Sequence, residues 1–230
     1  MPNDPPAVMI FAAGFGTRMK HLTTSQPKPM IPVAGMPLID HALGIVDAVK
    51  PPRIVVNLHY LPDALEAHLA KRTVTTLREE PDILDTGGGL RNALPTLESN
   101  PVLTVNPDAI WAGPNPLRML LEAWDPIHMD ALLTCVPLAQ VHGRNGEGDF
   151  RLDDDGRLHR GGTMVYGGTQ IMKTDLLHDV PERAFSLNFP WNMMAEQGRL
   201  YGLSYPGHWC DVGHPEGIAI AENMLQRHDV

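Results

Sequence analysis

The chain has 230 residues, enough for one sizeable core, and a formal net charge of −9 at pH 7. This acidic balance argues against nucleic acid as a partner, so an anionic substrate would have to be held by local cations and a metal ion. Two cysteines do not suggest a disulfide framework, and neither a signal peptide nor a membrane-spanning run is evident. We therefore expect a soluble cytoplasmic protein without a membrane partner.

The functional signal is strongest between residues 8 and 33. An apolar run at 8–12 predicts a short buried strand. The segment AAGFGTR at 12–18 follows, and its two glycines allow a sharp turn whose backbone N–H groups favour an anion. Arg18 and Lys28, the latter held between two prolines, add two positive charges after the same strand. This combination predicts a phosphate-binding site.

Helices alternate with strands over the first part of the chain. Apolar periodicity predicts helices at 37–50 and 62–72, and runs rich in Val and Ile or Thr predict strands at 53–58 and 74–78. Alternation at this pace favours a parallel sheet covered on both faces, that is, a doubly wound α/β core. The later predicted elements, in chain order, are a strand at 101–106, a helix at 115–124, a strand at 130–136, a hairpin at 150–159, a strand at 163–172, a helix at 189–198, a strand at 200–205 and a helix at 215–227.

Three consecutive glycines occur at 87–89, where we predict a loop leading into a helix that begins at about Leu90. Bare backbone of this kind allows a flat planar group to lie against it. The alternative is a flexible loop that binds nothing. The residues by themselves leave both interpretations open.

Two aspartates are candidate metal ligands. Asp108 follows the predicted strand at 101–106, and open α/β sheets bind ligands at the carboxyl ends of their strands; a turn residue or helix cap is the alternative. Asp211 lies beside apolar residues, so we expect a sheltered carboxylate that needs an arginine, a backbone cap or a metal as its partner. The histidines and cysteine at 208–214 could suggest zinc, but no second ligand pair has a recognised spacing.

The N-terminal segment resembles the signature of the sugar-1-phosphate nucleotidylyltransferases. That signature runs from a strand through AAGxGTR and PKP to a PV strand, and its parts correspond here to residues 12–18, 27–29 and 32–33. Compact members that act on N-acetylmuramate 1-phosphate in peptidoglycan recycling have forms similar to those at 85–89, 148–152 and 207–213.

The resemblance implies a Rossmann-like nucleotide-diphospho-sugar transferase fold with a doubly wound, mixed but mostly parallel sheet. Residues 1–230 would form a single domain, with a nucleotide-binding part at about 7–110 and a sugar-binding part at about 111–230. The implied reaction is Mg²⁺-dependent nucleotidyl transfer from an NTP, expected to be UTP, to a sugar 1-phosphate, expected to be N-acetylmuramate 1-phosphate. An NDP-sugar and pyrophosphate would be released by a monomer or homodimer.

The resemblance also assigns site residues. It gives catalytic roles to Arg18, Lys28, Asp108 and Asp211, of which the two aspartates would bind Mg²⁺. The implied nucleotide-binding residues are Ala12, Ala13, Gly14, Gly16, Thr17, Arg18, Lys28, Glu80, Asp85, Thr86 and Gly87. The implied sugar-binding residues are Gly148, Tyr166, Gly168 and Thr169. The family's Glu-Lys pair, whose lysine holds the sugar phosphate, is not found in this sequence, and Arg144 or Arg160 could replace it.

Two alternatives stay open at this point. A mannose- or glucose-1-phosphate nucleotidylyltransferase would share the catalytic residues and differ in its pockets. The second alternative is a non-catalytic nucleotide-binding protein of the same fold. The presence of all four catalytic candidates in one chain argues against this alternative.

Overall fold

The computed structural model describes residues 5–228. The α-helices of these residues are α1 (Leu38–Asp47), α2 (Pro62–Leu69), α3 (Asp85–Leu97), α4 (Pro116–Ala123), α5 (Asn188–Glu196) and α6 (Pro215–His228). The strands are β1 (Val8–Phe11), β2 (Pro32–Val33), β3 (Met36–Pro37), β4 (Ile54–Leu58), β5 (Thr75–Arg78), β6 (Val102–Val105), β7 (Ala109–Ala112), β8 (Ala131–Pro137), β9 (Val141–His142), β10 (Phe150–Leu152), β11 (Leu158–Arg160), β12 (Met164–Met172), β13 (Leu200–Ser204) and β14 (His208–Asp211). Among the helices of residues 5–228, none combines the length and the apolar character needed to cross a membrane.

A mixed central sheet forms the middle of the molecule. Its strands lie in the order β5-β4-β1-β6-β12-β8-β13, and the hairpin of β10 and β11 extends it beside the first half of β12. Strand β1 pairs in parallel with both β4 and β6, whereas β12 runs antiparallel to β6 and β8. The predicted mixed, mostly parallel sheet is therefore confirmed.

Helices cover both faces of this sheet, because the side chains of its buried strands alternate between two cores. Val8 and Ile10 of β1 pack with helices α1, α2 and α4, whereas Met9 packs with α3 and α5. Strands buried on both sides read as continuous apolar runs, which is why the run at 8–12 is recognisable in the sequence. The doubly wound arrangement follows from this alternation.

A second, three-stranded sheet in the order β7-β14-β9 was missed by the sequence analysis. Strand β7 begins directly after Asp108, and β14 ends at Asp211. The two strands are antiparallel, with Asp211 opposite Ala109. Each is only four residues long, too short to show a clear period. Helix α6 packs against them through Ala221 and Met224.

The prediction of a loop before a helix starting at Leu90 was wrong, because α3 begins at Asp85 and includes all three glycines. A Cβ atom on Gly88 would lie 2.5 Å from the carbonyl oxygen of Arg183, and one on Gly89 would lie 2.6 Å from Oε1 of Glu79. Glycine has a low helix propensity, yet here tertiary packing requires residues without a side chain. The glycines serve close packing of the chain against itself.

Candidate active site

The first loop and the carboxyl ends of β1, β4 and β6 surround a cavity of about 320 Å³, which we call the nucleotide cavity. Most of the predicted nucleotide-binding residues line it. They are Ala12, Ala13, Gly14, Gly16, Thr17, Arg18, Lys28, Asp85 and Thr86. Residues after position 110 contribute only Gly213 to this lining, among those that the structure describes. The nucleotide cavity is thus built almost entirely from the first half of the chain.

Gly16 gives the first loop its shape. Its φ of +63° is in the left-handed region, and a Cβ atom there would lie 2.9 Å from Cβ of Lys28. The hydroxyl of Thr23 donates a hydrogen bond of 3.2 Å to the Gly16 carbonyl oxygen and closes the turn. Gly14 differs, since a Cβ atom added to it would meet no other part of the described chain within 4 Å. Of the two glycines, Gly16 is the one that the loop conformation requires.

Four charged groups meet at the edge of the nucleotide cavity. The ammonium of Lys28 donates to Oδ2 of Asp108 at 2.7 Å, and a guanidinium nitrogen of Arg18 lies 3.8 Å from Oδ2 of Asp211. The two aspartates are neighbours, because the amide of Val212 donates to the Asp108 carbonyl oxygen at 2.9 Å across the β7–β14 pair. The structure therefore brings together all four residues with predicted catalytic roles.

A second cavity of about 260 Å³ lies on the other side of these charges, and we call it the sugar cavity. Tyr166 and Gly168 of β12 line it. Strand β12 has an irregular register there, and Gly168 has a φ of +90° with its backbone against Asn106. The indole N–H of Trp209 donates to the Gly167 carbonyl oxygen at 2.8 Å and fixes this bulge. Bulges of this kind re-aim the residues beside a site.

The two cavities share three lining residues, Arg18, Asn106 and Asp108. Asp211 lines the sugar cavity, and Gly213, two residues later, lines the nucleotide cavity. A Cβ atom on Gly213 would lie 2.8 Å from Oδ2 of Asp211 and 3.0 Å from the Arg18 guanidinium. Ligands in the two cavities would therefore meet at the aspartates.

Known proteins that are similar to this chain are nucleotidyltransferases. The family model of the MobA-like NTP transferase domain matches residues 8–143. The N-acetylmuramate alpha-1-phosphate uridylyltransferase of Caulobacter vibrioides is 38% identical over 98% of this chain and 99% of that protein. The chain belongs to the sugar-1-phosphate nucleotidyltransferases. A protein of the same name from Neisseria meningitidis is 29% identical over 89% of this chain and 92% of its own length.

Solved structures support the fold of the transferase. HddC from Yersinia pseudotuberculosis has a TM-score of 0.74 at 23% identity, over 95% of this chain and 99% of that one. A UDP-glucose pyrophosphorylase complexed with UDP-glucose has a TM-score of 0.75 at 15% identity, over 97% and 99% of the two chains. The predicted family, Rossmann-like fold and enzyme class are confirmed.

The transferase supports its nucleotide cavity with a buried glutamate that sequence reasoning missed. Glu79 is 1% exposed and accepts hydrogen bonds from the Asn57 side chain at 2.7 Å and the Leu84 amide at 2.8 Å. Asn57 in turn accepts from the amide of Ala12 at 2.8 Å. Glu80, which was predicted to bind the nucleotide, is exposed and does not line the nucleotide cavity. Side chains at the end of a strand alternate in direction, so the side chain of Glu79 points inward where that of Glu80 points outward.

Three further residues that were predicted to bind ligands do not line either cavity. Gly87 packs against Phe185, where an added Cβ would lie 2.4 Å from the ring, and its amide donates to the Phe185 carbonyl oxygen at 2.8 Å. Gly148 is enclosed by backbone, and a Cβ atom added to it would lie 2.6 Å from the amide nitrogen of Met164. Thr169 is fully buried and hydrogen-bonded to Thr134 at 2.9 Å. In this structure these residues face neighbouring chain segments, so their contacts with a ligand stay predictions.

An ion pair and an aromatic pair shape the wall of the sugar cavity. Asp149 accepts two hydrogen bonds from the Arg144 guanidinium, at 2.7 and 3.2 Å, and one from the Tyr166 amide at 2.9 Å. Burial raises the pKa of the Tyr166 hydroxyl well above its usual range. Trp191 packs edge-on against Tyr166 with ring centroids 4.9 Å apart. Asp149 thus holds Arg144 and the strand carrying Tyr166 in fixed positions.

The acidic pair has the properties of a site for a divalent cation. Burial raises the pKa of Asp211, and the negative charge of Asp108 raises it further, while Lys28, Arg18 and His214 lower it. The raised pKa reflects the burial of the Asp211 carboxyl first and its repulsion from Asp108 second. Within residues 5–228, no three His, Cys, Asp or Glu residues converge on one point. The donor set fits Mg²⁺, which binds to one or two carboxylates and takes its other ligands from substrate phosphates and water.

Proposed function

We propose that the transferase moves the uridylyl group of UTP to N-acetylmuramate 1-phosphate in the presence of Mg²⁺, giving UDP-N-acetylmuramate and pyrophosphate. The Caulobacter vibrioides relative carries this sugar and this nucleotidyl group in its name and matches the chain almost from end to end. A place in peptidoglycan recycling would follow from that substrate.

One observation carries the proposal, namely that the nucleotide cavity and the sugar cavity meet at Asp108 and Arg18. A triphosphate bound by the first loop would place its α-phosphate near this edge. A sugar 1-phosphate bound by β12 would bring its phosphate to the same edge from the other side. Holding two reactants in contact in this way can account for a large part of a rate enhancement.

The chemistry requires placement and charge neutralisation more than proton transfer. An oxygen of the sugar phosphate is ionised at neutral pH, so it can attack the α-phosphorus of the NTP without a general base. A bond forms between these two atoms, and the bond between the α-phosphorus and the oxygen bridging to the β-phosphate breaks. Pyrophosphate leaves with that electron pair, so the step is balanced without a further reactant.

Each charged residue has a separate task in this proposal. The loop amides and the Lys28 ammonium bind the triphosphate, and Arg18 at the shared edge contacts phosphate groups from both sides. Asp108 and Asp211 would hold Mg²⁺, which would supply the positive charge needed where negative charge accumulates around the α-phosphate. Gly213 keeps Arg18 and Asp211 close together because it has no side chain.

A mannose-1-phosphate guanylyltransferase is the second candidate. The enzyme of that name from Mycobacterium tuberculosis is 25% identical over 95% of this chain, which spans 64% of that protein. Its match covers the same catalytic region, so the two candidates differ in base and sugar and share the reaction type.

Pyrophosphate release with a panel of substrates tests the proposal. Purified transferase would be given each of UTP, GTP, CTP, ATP and dTTP with the 1-phosphates of N-acetylmuramate, N-acetylglucosamine, glucose and mannose. We expect the highest kcat/KM for UTP with N-acetylmuramate 1-phosphate, and loss of turnover when EDTA removes divalent ions. A preference for GTP with mannose 1-phosphate would contradict the proposed substrates while leaving the reaction class intact.

A further inference from the structure

We propose that Arg160 is a specificity-determining residue that binds a carboxylate carried by the sugar ring. This inference rests on the proposed function, since it concerns the acidic sugar and the cavity in which that sugar would bind. Arg160 is the last residue of β11 and lines the sugar cavity. Its role would be to select acidic sugar 1-phosphates over neutral ones.

The Arg160 guanidinium is held in place by neutral groups. Its Nε and one terminal nitrogen donate to Oδ1 of Asn192 at 3.0 and 2.7 Å, and the same terminal nitrogen lies 3.3 Å from the Asn188 carbonyl oxygen. Its central carbon lies 4.8 Å from the centre of the Phe150 ring and 5.9 Å from that of Trp191. Rings and amides fix the orientation of the planar group without neutralising its charge.

The charge of Arg160 has no partner in direct contact among the residues that the structure describes. Within residues 5–228, Arg160 forms no salt bridge, and Asp149 acts on it only from a greater distance. Arg160 is exposed overall, and the partial burial of its guanidinium lowers its pKa. An anionic ligand would be favoured at this position, because it would supply a direct counter-charge and accept a hydrogen bond from the terminal nitrogen that donates to neither Asn188 nor Asn192.

Arg144, the other arginine specific to this cavity, differs in this respect. It is bound through two nitrogens to Asp149, so its charge is already compensated. Both arginines were candidates to replace the family's sugar-phosphate lysine. The contrast between them assigns ligand binding to Arg160 and support of β12 to Arg144.

The position of Arg160 argues against a role in holding the reacting phosphate. Arg18 and Lys28 are the cations that pair with Asp211 and Asp108, whereas Arg160 pairs with neither aspartate within residues 5–228. Arg160 instead lies with α5 at the wall formed by Asn188 and Trp191. A sugar whose phosphate lies at the aspartates would extend its ring substituents toward that wall. N-acetylmuramate has a carboxylate on such a substituent, whereas N-acetylglucosamine has a hydroxyl group there.

A chemical double-mutant cycle tests the inference. The variant Arg160→Met keeps an apolar stem against the rings and removes the charge. Wild type and variant would be assayed with N-acetylmuramate 1-phosphate, with its carboxamide analogue and with N-acetylglucosamine 1-phosphate. We expect kcat/KM for the acidic sugar to fall by roughly 10- to 100-fold in the variant, mainly through KM, as for loss of a charged hydrogen-bonded pair. The losses for the two neutral sugars should be less than about threefold.

Matched variants control for structural effects. Arg151→Met removes an arginine from the adjacent strand β10 that does not line the sugar cavity, so the ratio between acidic and neutral sugars should not change. Arg160→Lys keeps the charge without the planar fork and should recover part of the selectivity. The melting temperature of each variant shows whether it is folded.

Two different failures can be told apart. If wild type uses N-acetylmuramate 1-phosphate and Arg160→Met lowers kcat/KM equally for acidic and neutral sugars, the proposed function stands and the inference is wrong. Arg160 would then act on the shared phosphate or on packing. If wild type prefers neutral sugars, both the proposed substrate and the role of Arg160 are wrong.

Discussion

The two cavities of this transferase are built in different ways. The nucleotide cavity is lined by the glycine loop and by other segments of the first half of the chain, so nearly all of its lining residues precede position 110. The sugar cavity is made of side chains from β10, β11, β12, β14 and α5, which come from distant parts of the chain. A triphosphate can be bound by backbone N–H groups in a local turn, whereas a sugar must be recognised by side chains that converge only in the folded protein.

The shared edge of the cavities should be the most sensitive part of the molecule. Asp108→Ala or Asp211→Ala should reduce kcat by about 10³-fold, because charge at the α-phosphate is no longer neutralised. The KM values for the NTP and the sugar 1-phosphate should change less than kcat. Asp154→Ala, an exposed aspartate in the hairpin turn, is the matched control. Unchanged turnover in either variant would remove that aspartate from the mechanism.

The buried support of the nucleotide cavity should affect only that cavity. Glu79→Gln places an amide nitrogen opposite Asn57 or the Leu84 amide, both of which are donors, and should lower the free energy of unfolding by about 2 kcal/mol. KM for the NTP should rise while KM for the sugar 1-phosphate stays the same. Urea denaturation and steady-state kinetics would measure both effects, with the exposed neighbour Glu80→Gln as control. Equal changes in both KM values would show that the cavities are not independent.

The two loop glycines should respond differently to the same substitution. Gly16→Ala forces a left-handed conformation on a residue with a side chain, and should cost about 1–2 kcal/mol of stability. Gly14→Ala has open space and should change stability by less than about 0.5 kcal/mol. Thermal denaturation of both variants without ligand is the measurement. Similar melting temperatures would contradict the role given to Gly16.

The sugar cavity should show the opposite pattern from the nucleotide cavity. Asp149→Asn weakens the bonds that hold Arg144 and the Tyr166 amide, and should raise KM for the sugar 1-phosphate by roughly three- to tenfold. KM for the NTP, measured in the same variant, should not change. A rise confined to the NTP would mean that the two cavities have been assigned to the wrong substrates.

The smallest effect concerns the pH dependence of stability. Because the pKa of Asp211 is raised in the folded protein, the folded state holds this proton more tightly than the unfolded state. Stability is therefore lost as pH rises from below the ordinary Asp value through the raised one. In EDTA, the melting temperature of wild type should fall relative to that of Asp211→Asn as the pH rises over that interval. Added Mg²⁺ should raise the melting temperature of wild type only. A difference between the two proteins that does not vary with pH would contradict this account.

Part of the molecule was predictable because it depends on local patterns. Apolar runs with helical or strand periods identified the doubly wound sheet, and the glycine loop with Arg18 and Lys28 predicted a phosphate site whose residues line the nucleotide cavity. The short strands β7 and β14 carry too few residues for a period, so the second sheet was missed. The glycines at 87–89 were predicted to precede the helix, and only Gly87 was assigned to the nucleotide, since their contacts with the 183–185 segment and Glu79 are not visible in sequence.

The sequence by itself determined where a triphosphate could be bound, because turn conformation and charge are properties of neighbouring residues. Only the tertiary structure decided that Asp108 and Asp211 meet, that Glu79 and not Glu80 faces the nucleotide cavity, and that Arg160 has no salt-bridge partner within residues 5–228. These features depend on strand register and side-chain direction between segments far apart in the chain. A shift of one residue in that register would turn each of those side chains to the opposite face.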